Sequence, residues 1–486
     1  MTSINPLDLP EILSAVAAYL ERNDVVRCIR VSVTWYKLLS PILWKDITIT
    51  GTGGKDYFIR DGPAPDALRA HRDLVHTLHI DQSLPCRYSA AYSKLHSLRI
   101  KSVLPIRQRG AFGEDLIEFI SLNPSLVSLA LAGLDGYLDA TLWRAVSKLP
   151  SLKTLELCRV GMRTVDDANA FWVACANLDH LRLFDAYFVE RGISVFDIPI
   201  PDILFPLVTK LELRTPPRDP LDLMRRCPNL KELSWQSKRH HPALEVFAQD
   251  LSQGAWPGLE KLSHFHYMPD ETLEMILKGM QRITALDLHL NDFGELSFKI
   301  LQRHFNSISQ LNLDRCHYVT SDMLRDIMCS CPNLLDLQAG EILAKDVVAD
   351  EPWVCLSKRK LSVCFIFDNT ELDLQPMIFG RLSKLVHLES LGIGGRSLLV
   401  VKSLPFTLDL RLESGLGELA QLRKIAEIDV YNTNQWPEEG DIQWMLENWR
   451  QLKRFSGMVF KGNATQLKII EMLNARGIDT GNTYVQ

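Results

Sequence analysis

The chain has 486 residues, 46% of them hydrophobic and 23% charged, with a formal net charge of −5. That is an ordinary globular mix, which excludes wholesale disorder and fibrous classes. The mild acidity gives no support to nucleic-acid binding by phosphate neutralisation or to a polybasic membrane module. No apolar run approaches the roughly eighteen residues of a membrane span, and the N-terminus lacks the basic and apolar regions of a secretory signal. The expected location is therefore cytoplasmic or nuclear, with neither membrane nor nucleic acid as partner. Ten cysteines in such a chain read as packed thiols in a reducing compartment. Cys329 and Cys331 are the closest pair, and no second pair follows at metal spacing, so no metal or other cofactor is expected.

In chain order, the first fifty residues read as three helices. Leu9-Pro10 opens the first, with proline at the turn where its missing N–H is harmless. Ile12, Leu13, Val16, Tyr19 and Leu20 recur at helical spacing. Asp24 is expected to cap a second helix carrying Val25, Cys28 and Val31. Trp35, Leu38 and Leu39 continue into a third, which Pro41 is expected to break before Leu43-Trp44. This trio has more apolar positions than so small a core needs. The surplus either caps the rest of the chain or docks onto a partner.

Gly51-Thr-Gly-Gly-Lys55 comes next. A phosphate loop needs glycine where Ile49 stands and a hydroxyl where Asp56 stands. With Gly62, Pro63 and Pro65 nearby, residues 51–72 read as a flexible link.

From Val75 to Leu452 a leucine triplet recurs at a mean period of about 27 residues, inside the leucine-rich-repeat window. Leu126-Leu129-Leu131, Leu152-Leu155-Leu157 and Leu178-Leu181-Leu183 are its clearest copies, spaced 26 residues apart. One copy is degenerate, with Lys358 ahead of Leu361 and Val363. Side-chain alternation sends the paired leucines of each strand into one core. A helix-compatible stretch comes after each triplet, as at 166–177 and 321–331, and Pro-Asn or Pro-Ser often stops it, as at Pro228-Asn229 and Pro332-Asn333. The unit from Leu311 to Leu334, with Cys316, Thr320, Leu324, Cys331 and Pro332, resembles the cysteine-containing leucine-rich repeat, and Thr320 or Ser321 would cap its helix. One unit cannot bury its apolar side alone, so neighbours stack. The expected fold is an α/β solenoid, a leucine-rich-repeat horseshoe with a small all-α N-terminal module.

Leu9-Pro-Glu-Ile-Leu13, Leu20, Asp24, Cys28, Val31, Trp35 and Leu43-Trp44 resemble the F-box over residues 5–49. An F-box ahead of leucine-rich repeats is similar to the fungal F-box/leucine-rich-repeat proteins, as are Trp353-Val-Cys355 and the Trp444–Trp449 segment. The resemblance implies a non-catalytic substrate receptor of an SCF-type ubiquitin ligase, bound to a Skp-family linker protein and through it to a cullin. By motif position Leu9, Pro10, Ile12, Leu13, Val16, Leu20, Cys28, Val31 and Trp35 are the candidates for that contact, shared with the motif's own core. The corresponding division is F-box 1–50, linker 51–72, repeat solenoid 73–461, and C-terminal helix and tail 462–486. The rival reading is a leucine-rich-repeat scaffold or inhibitor without ubiquitin transfer.

An unknown target protein would lie along the concave strand face. Early repeats present Arg99, Lys101, His180, Arg182, Phe184, Lys210 and Arg214 there, beside Glu156 and Glu212. Later repeats present Asp287, His289, Asp314, Asp336, Glu427, Asp429 and Tyr431, so the face is expected to drift from mixed-basic to acidic, a polarity that would steer a complementary partner. His264, His266 and Asp270 offer zinc-type ligands without a third at metal spacing, and read as a polar rim. No catalytic motif is present. Asn463-Ala-Thr465 is a glycosylation sequon that matters only in a secreted chain.

Overall fold

The computed structural model describes residues 9–51, 60–61, 63–81, 88–101, 112–134, 138–162, 164–184, 187–188, 200–214, 220–236, 242–349, 351–394, 406–431, 433, 435, 437–457 and 464–481. Residues 52–59 and 62, which include most of the glycine-rich segment, lie outside them, as does Asn463. The chain divides into two compact units, residues 1–230 and 231–486.

The first unit opens with α1 (Pro10–Ala17), α2 (Arg22–Cys28) and α3 (Val33–Lys45). Pro10 sits at the first helical turn of α1. Two expectations need correction. Asp24 does not cap α2; Glu21 holds the cap position, and Asp24 lies in the first turn, paired with Arg27 at 3.1 Å. Its carboxylate still complements the helix N-terminus. Pro41 does not break α3, which runs through it to Lys45. Lys37, whose carbonyl loses its donor, lies on the exposed side with Pro41, so the freed acceptor is not buried. Ser32 caps this helix, its Oγ accepting from Trp35 N at 3.1 Å.

No spacer separates α3 from the strands. Lys45 is followed at once by β1 (Asp46–Gly51), and the same unit adds β2 (Arg60–Asp61), α4 (Pro65–Ala70), β3 (Thr77–Asp81), β4 (Ser97–Lys101), α5 (Phe112–Ser121), β5 (Ser128–Ala132), α6 (Ala140–Val146), β6 (Thr154–Cys158), β7 (Gly161–Met162), α7 (Val165–Cys175), β8 (His180–Phe184), β9 (Tyr187–Phe188), β10 (Lys210–Arg214) and α8 (Leu221–Arg225). Strands β1, β3, β4, β5, β6, β8 and β10 pair in parallel in that order. Parallel pairing needs crossover connections, which the helices and turns of each repeat supply. The register aligns like with like: Ile47, Leu78, Leu98, Leu129, Leu155, Leu181 and Leu211 form one row, all buried. Ile49, Ile80, Ile100, Leu131, Leu157, Leu183 and Leu213 form a second. Each such side chain contributes about 1.5–3 kcal/mol of gross hydrophobic stabilisation, but only when the next repeat covers it.

The second unit repeats the plan with β11 (Glu232–Gln236), α9 (Ala243–Ser252), β12 (Lys261–Ser263), α10 (Asp270–Gly279), β13 (Ala285–Asp287), α11 (Glu295–Leu301), β14 (Gln310–Asn312), α12 (Ser321–Ser330), β15 (Asp336–Leu343), α13 (Ala344–Val347), β16 (Lys360–Phe367), α14 (Gln375–Leu382), β17 (Ser390–Gly392), β18 (Phe406–Thr407), β19 (Glu427–Asp429), α15 (Glu439–Asn448), β20 (Arg454–Ser456) and α16 (Ala464–Ala475). Its parallel ladder runs from β11 to β17 and on through β19 to β20, with β18 antiparallel on β16. Thr320 caps α12 by accepting from Met323 N, and Met323, Leu324, Ile327 and Met328 face inward from that helix.

Neighbouring repeats are also tied by polar groups. Asn229 Nδ2 donates to Pro206 O and Asn333 Nδ2 to Asn306 O, at 2.9 and 2.8 Å, so the asparagine of a Pro-Asn step reaches one repeat back. Asp270 accepts from the backbone N–H groups of Gly294, Leu296 and Ser297, each at 3.0 Å, and thereby caps α11 from the preceding repeat. Asp167 of α7 reaches in the opposite direction, accepting from Ala140 N at 2.7 Å at the start of α6 in the preceding repeat.

Candidate partner-binding surfaces

The N-terminal helices carry two apolar faces. Leu13, Ala17, Val25 and Leu39 form their buried core, with Leu20, Cys28, Ile29, Trp35, Leu38 and Leu43 packed against it. The other face of α1 points outward. Leu9, Ile12 and Val16 are each about two-fifths exposed and Tyr19 is 91% exposed, and their spacing places them on one side of the helix. Pro10 is exposed as well, Val31 is 65% exposed, and Val33 is 71% exposed. The nine motif positions thus separate physically: Leu13, Leu20, Cys28 and Trp35 face the core, and Leu9, Pro10, Ile12, Val16 and Val31 face solvent. Tyr19 and Val33 join the outward group. Tyr19 belonged to the helical spacing of α1 in the sequence, whereas Val33 carried no such signal.

The module is held to the first repeat by a polar and aromatic joint. Arg22 Nη1 donates to Asp46 O at 2.9 Å. His71 Nδ1 lies 2.8 Å from Ala67 O, so that nitrogen carries the proton, and Nε2 accepts from the Tyr36 hydroxyl at 3.0 Å. Trp44 stacks on the same imidazole.

On the strand face of the first unit, charges are organised in a chain. Glu156 takes Arg99 at 3.2 Å and Arg182 at 3.0 Å. Glu212 takes Arg182 at 2.9 Å, His180 at 3.0 Å and Lys210 at 3.2 Å. Burial alone would raise the Glu212 carboxyl; the hydrogen bond from His180, the Arg182 charge and Lys210 outweigh it and hold the carboxyl down at about 2. Lys101 pairs with Asp81 at 3.7 Å. Phe184 lies between the guanidiniums of Arg182 and Arg214, 5.2 and 5.0 Å from its ring centre, each a cation–π contact.

In the second unit the acidic positions are largely occupied by one another's neighbours. Asp287 accepts from Asn312 Nδ2 at 2.8 Å, and Asp314, only 6% exposed, sits 3.4 Å from His289 Nδ1. Burial pushes His289 down despite the Asp314 charge, and burial pushes Asp336 up despite Lys360. Asp429 accepts from the N–H of Tyr431, whose side chain is half-exposed. His264 lies 3.2 Å from Ser234 Oγ and His266 3.0 Å from His289 O, while Asp270 is committed to capping. Among the described residues no three His, Cys, Asp or Glu side chains converge on a metal position, and no helix is long and apolar enough to cross a membrane.

Residues 8–50 match the F-box-like family model. The N-terminal module is an F-box-like domain. Behind it runs the long parallel ladder of a leucine-rich-repeat fold. The chain is similar to an internalin of Listeria monocytogenes at 11% identity, over 92% of this chain and 94% of that one, with a TM-score of 0.34. It is similar also to a leucine-rich-repeat protein of Leptospira interrogans at 13% identity, over 84% and 90%, with a TM-score of 0.29. No curated protein matches the sequence.

Proposed function

We propose that this chain is the substrate-recognition adaptor of an SCF-type ubiquitin ligase. The F-box-like domain grips a Skp-family linker protein and through it a cullin, and the repeat ladder holds a target protein. The chain itself contributes no catalysis and acts by placing the target beside the transferring enzyme. We assign the helices before β1 to the linker contact and the ladder from β1 onward to the target, with Arg99, Lys101, Arg182, Phe184, Lys210 and Arg214 as the basic part of the target face and Asp287, His289, Asp336, Asp429 and Tyr431 as the acidic part. Asp314, being buried, supports His289 there.

The observation that carries this reading is the outward apolar row of α1, Leu9, Ile12, Val16 and Tyr19. A structural cap for a solenoid has no use for a second apolar face in water. Covering four such side chains contributes at most about 6–12 kcal/mol in gross terms, a large share but not the whole of a nanomolar contact, which needs about 12 kcal/mol net of association costs.

Co-expression with a Skp-family protein and a cullin tests it. The full chain should co-purify with both, and Ile12→Asp with Val16→Asp should lose both while keeping the native circular dichroism. Capture of the linker without cullin would favour the scaffold reading; capture of neither would end the proposal.

A further inference from the structure

Every other clear repeat opens its triplet with a buried leucine, isoleucine or valine, as at Leu334 and Leu388, but one repeat of the second unit places Lys358 there, fully buried. Its amine donates to Met328 Sδ at 3.3 Å, the same sulfur that the Cys355 thiol approaches. Cys355 is itself fully buried, its Sγ 3.3 Å from Met328 O and 4.0 Å from the same Met328 Sδ. A tight turn, Lys358 N to Cys355 O at 3.3 Å, brings the two side chains together. An amine in an apolar core has no hydration to hold its proton, and burial pushes Lys358 down from the ordinary lysine value. A desolvated lysine amine is a nucleophile, and here the group beside it is a thiol.

We propose that Cys355 and Lys358 form a reversible oxidative crosslink, a bond between Cys355 Sγ and Lys358 Nζ made with hydrogen peroxide as the two-electron oxidant. The amine takes the thiol proton, and the thiolate attacks one peroxide oxygen. This gives the sulfenic acid and hydroxide, which recovers the proton from the ammonium as water. The neutral amine then attacks the sulfenic sulfur; the S–O bond breaks and hydroxide leaves with an amine proton as a second water. One thiol, one amine and one peroxide thus become one S–N bond and two waters, sulfur being oxidised and peroxide reduced. Both groups are enclosed, so reaction depends on local opening of the repeat. Reclosure sets the amine against the sulfenic acid before further peroxide arrives.

The full-length protein tests this. After peroxide, thiol alkylation and trypsin, the segment Asp346–Arg359 should appear two hydrogens lighter, unalkylated at Cys355 and uncut after Lys358, and dithiothreitol should restore the ordinary digest. Cys355→Ser and Lys358→Met should both lose this product, the second with an apolar side chain where the repeat asks for one, and Cys331→Ser should keep it. Full alkylation of Cys355 after peroxide, a sulfinic acid there, or a disulfide from Cys355 to Cys331 would each overturn the proposal.

Discussion

The indole of Trp44 lies face to face with the imidazole of His71, ring centres 4.2 Å apart and planes within 4° of parallel. One ring belongs to the last turn of the F-box-like module and the other to the first repeat. With the Tyr36 hydrogen bond to the same imidazole, this stack fixes the module against the ladder. Replacing His71 by alanine removes an aromatic pair of about 0.5–1.5 kcal/mol and a hydrogen bond of about 1 kcal/mol. Hydrogen exchange should quicken in α3 and α4 while later repeats keep their protection.

The two faces of α1 predict opposite phenotypes for adjacent residues. Leu13→Ala opens a cavity in a small core and should cost about 2–5 kcal/mol of stability. Ile12→Ala should change stability by less than about 0.5 kcal/mol, as outward positions do, yet weaken linker binding about tenfold or more. Denaturant melts beside titration calorimetry distinguish the two.

Glu212 predicts an acid-labile first unit. Its carboxyl is held at about 2, below its ordinary 4.5, by the hydrogen bonds and charges that outweigh burial. A depressed carboxyl contributes stability above the unfolded value, and that contribution is lost as pH falls from about 4.5 through 2. Glu212→Gln should lose on the order of 2–3 kcal/mol at neutral pH and flatten the acid limb of a melt-versus-pH series.

Lys358 gives the opposite slope. With its value lowered by burial, the unfolded chain binds more protons than the folded one, so stability rises with pH until the unfolded lysine titrates near 10.5. Lys358→Met should abolish that slope and stabilise the second unit at neutral pH, by about 1–4 kcal/mol on the scale seen when buried ionic groups yield to packed apolar ones. Thermal melts at a series of pH values measure both.

Asp270→Ala should leave three N–H groups at the start of α11 without their acceptor, a loss of about 1–2 kcal/mol for a cap. Exchange should quicken at Leu296 and Ser297, in the repeat after the mutation.

Leu129, Leu155 and Leu181 were legible because a strand needs alternation and a repeat needs a fixed period, and both are written in linear spacing. In α1 the helical spacing of Ile12, Leu13, Val16, Tyr19 and Leu20 was legible, but only burial separates the inward positions from the outward ones. Asp270 was not: its partners stand 24 to 27 residues away, and beside two histidines it read as part of a polar rim. Pro41 misled because the rule against proline in helices assumes a carbonyl with nowhere else to turn. The division of charge on the strand face was visible in the types of Glu156, Arg182 and Glu212, but their mutual pairing depends on strand register across three repeats. Lys358 marked a weak repeat, and only burial shows that its amine has gone in with the leucines.

The passage from α3 to β1 without a spare residue has a mechanical consequence. Each residue added to the helical end of α3 after Lys45 would turn the helical module by roughly 100° about its own axis before the first strand begins. A bound linker protein would then swing around the ladder like a hand on a dial. Short insertions at this seam would leave both halves folded and binding-competent while misdirecting whatever they carry.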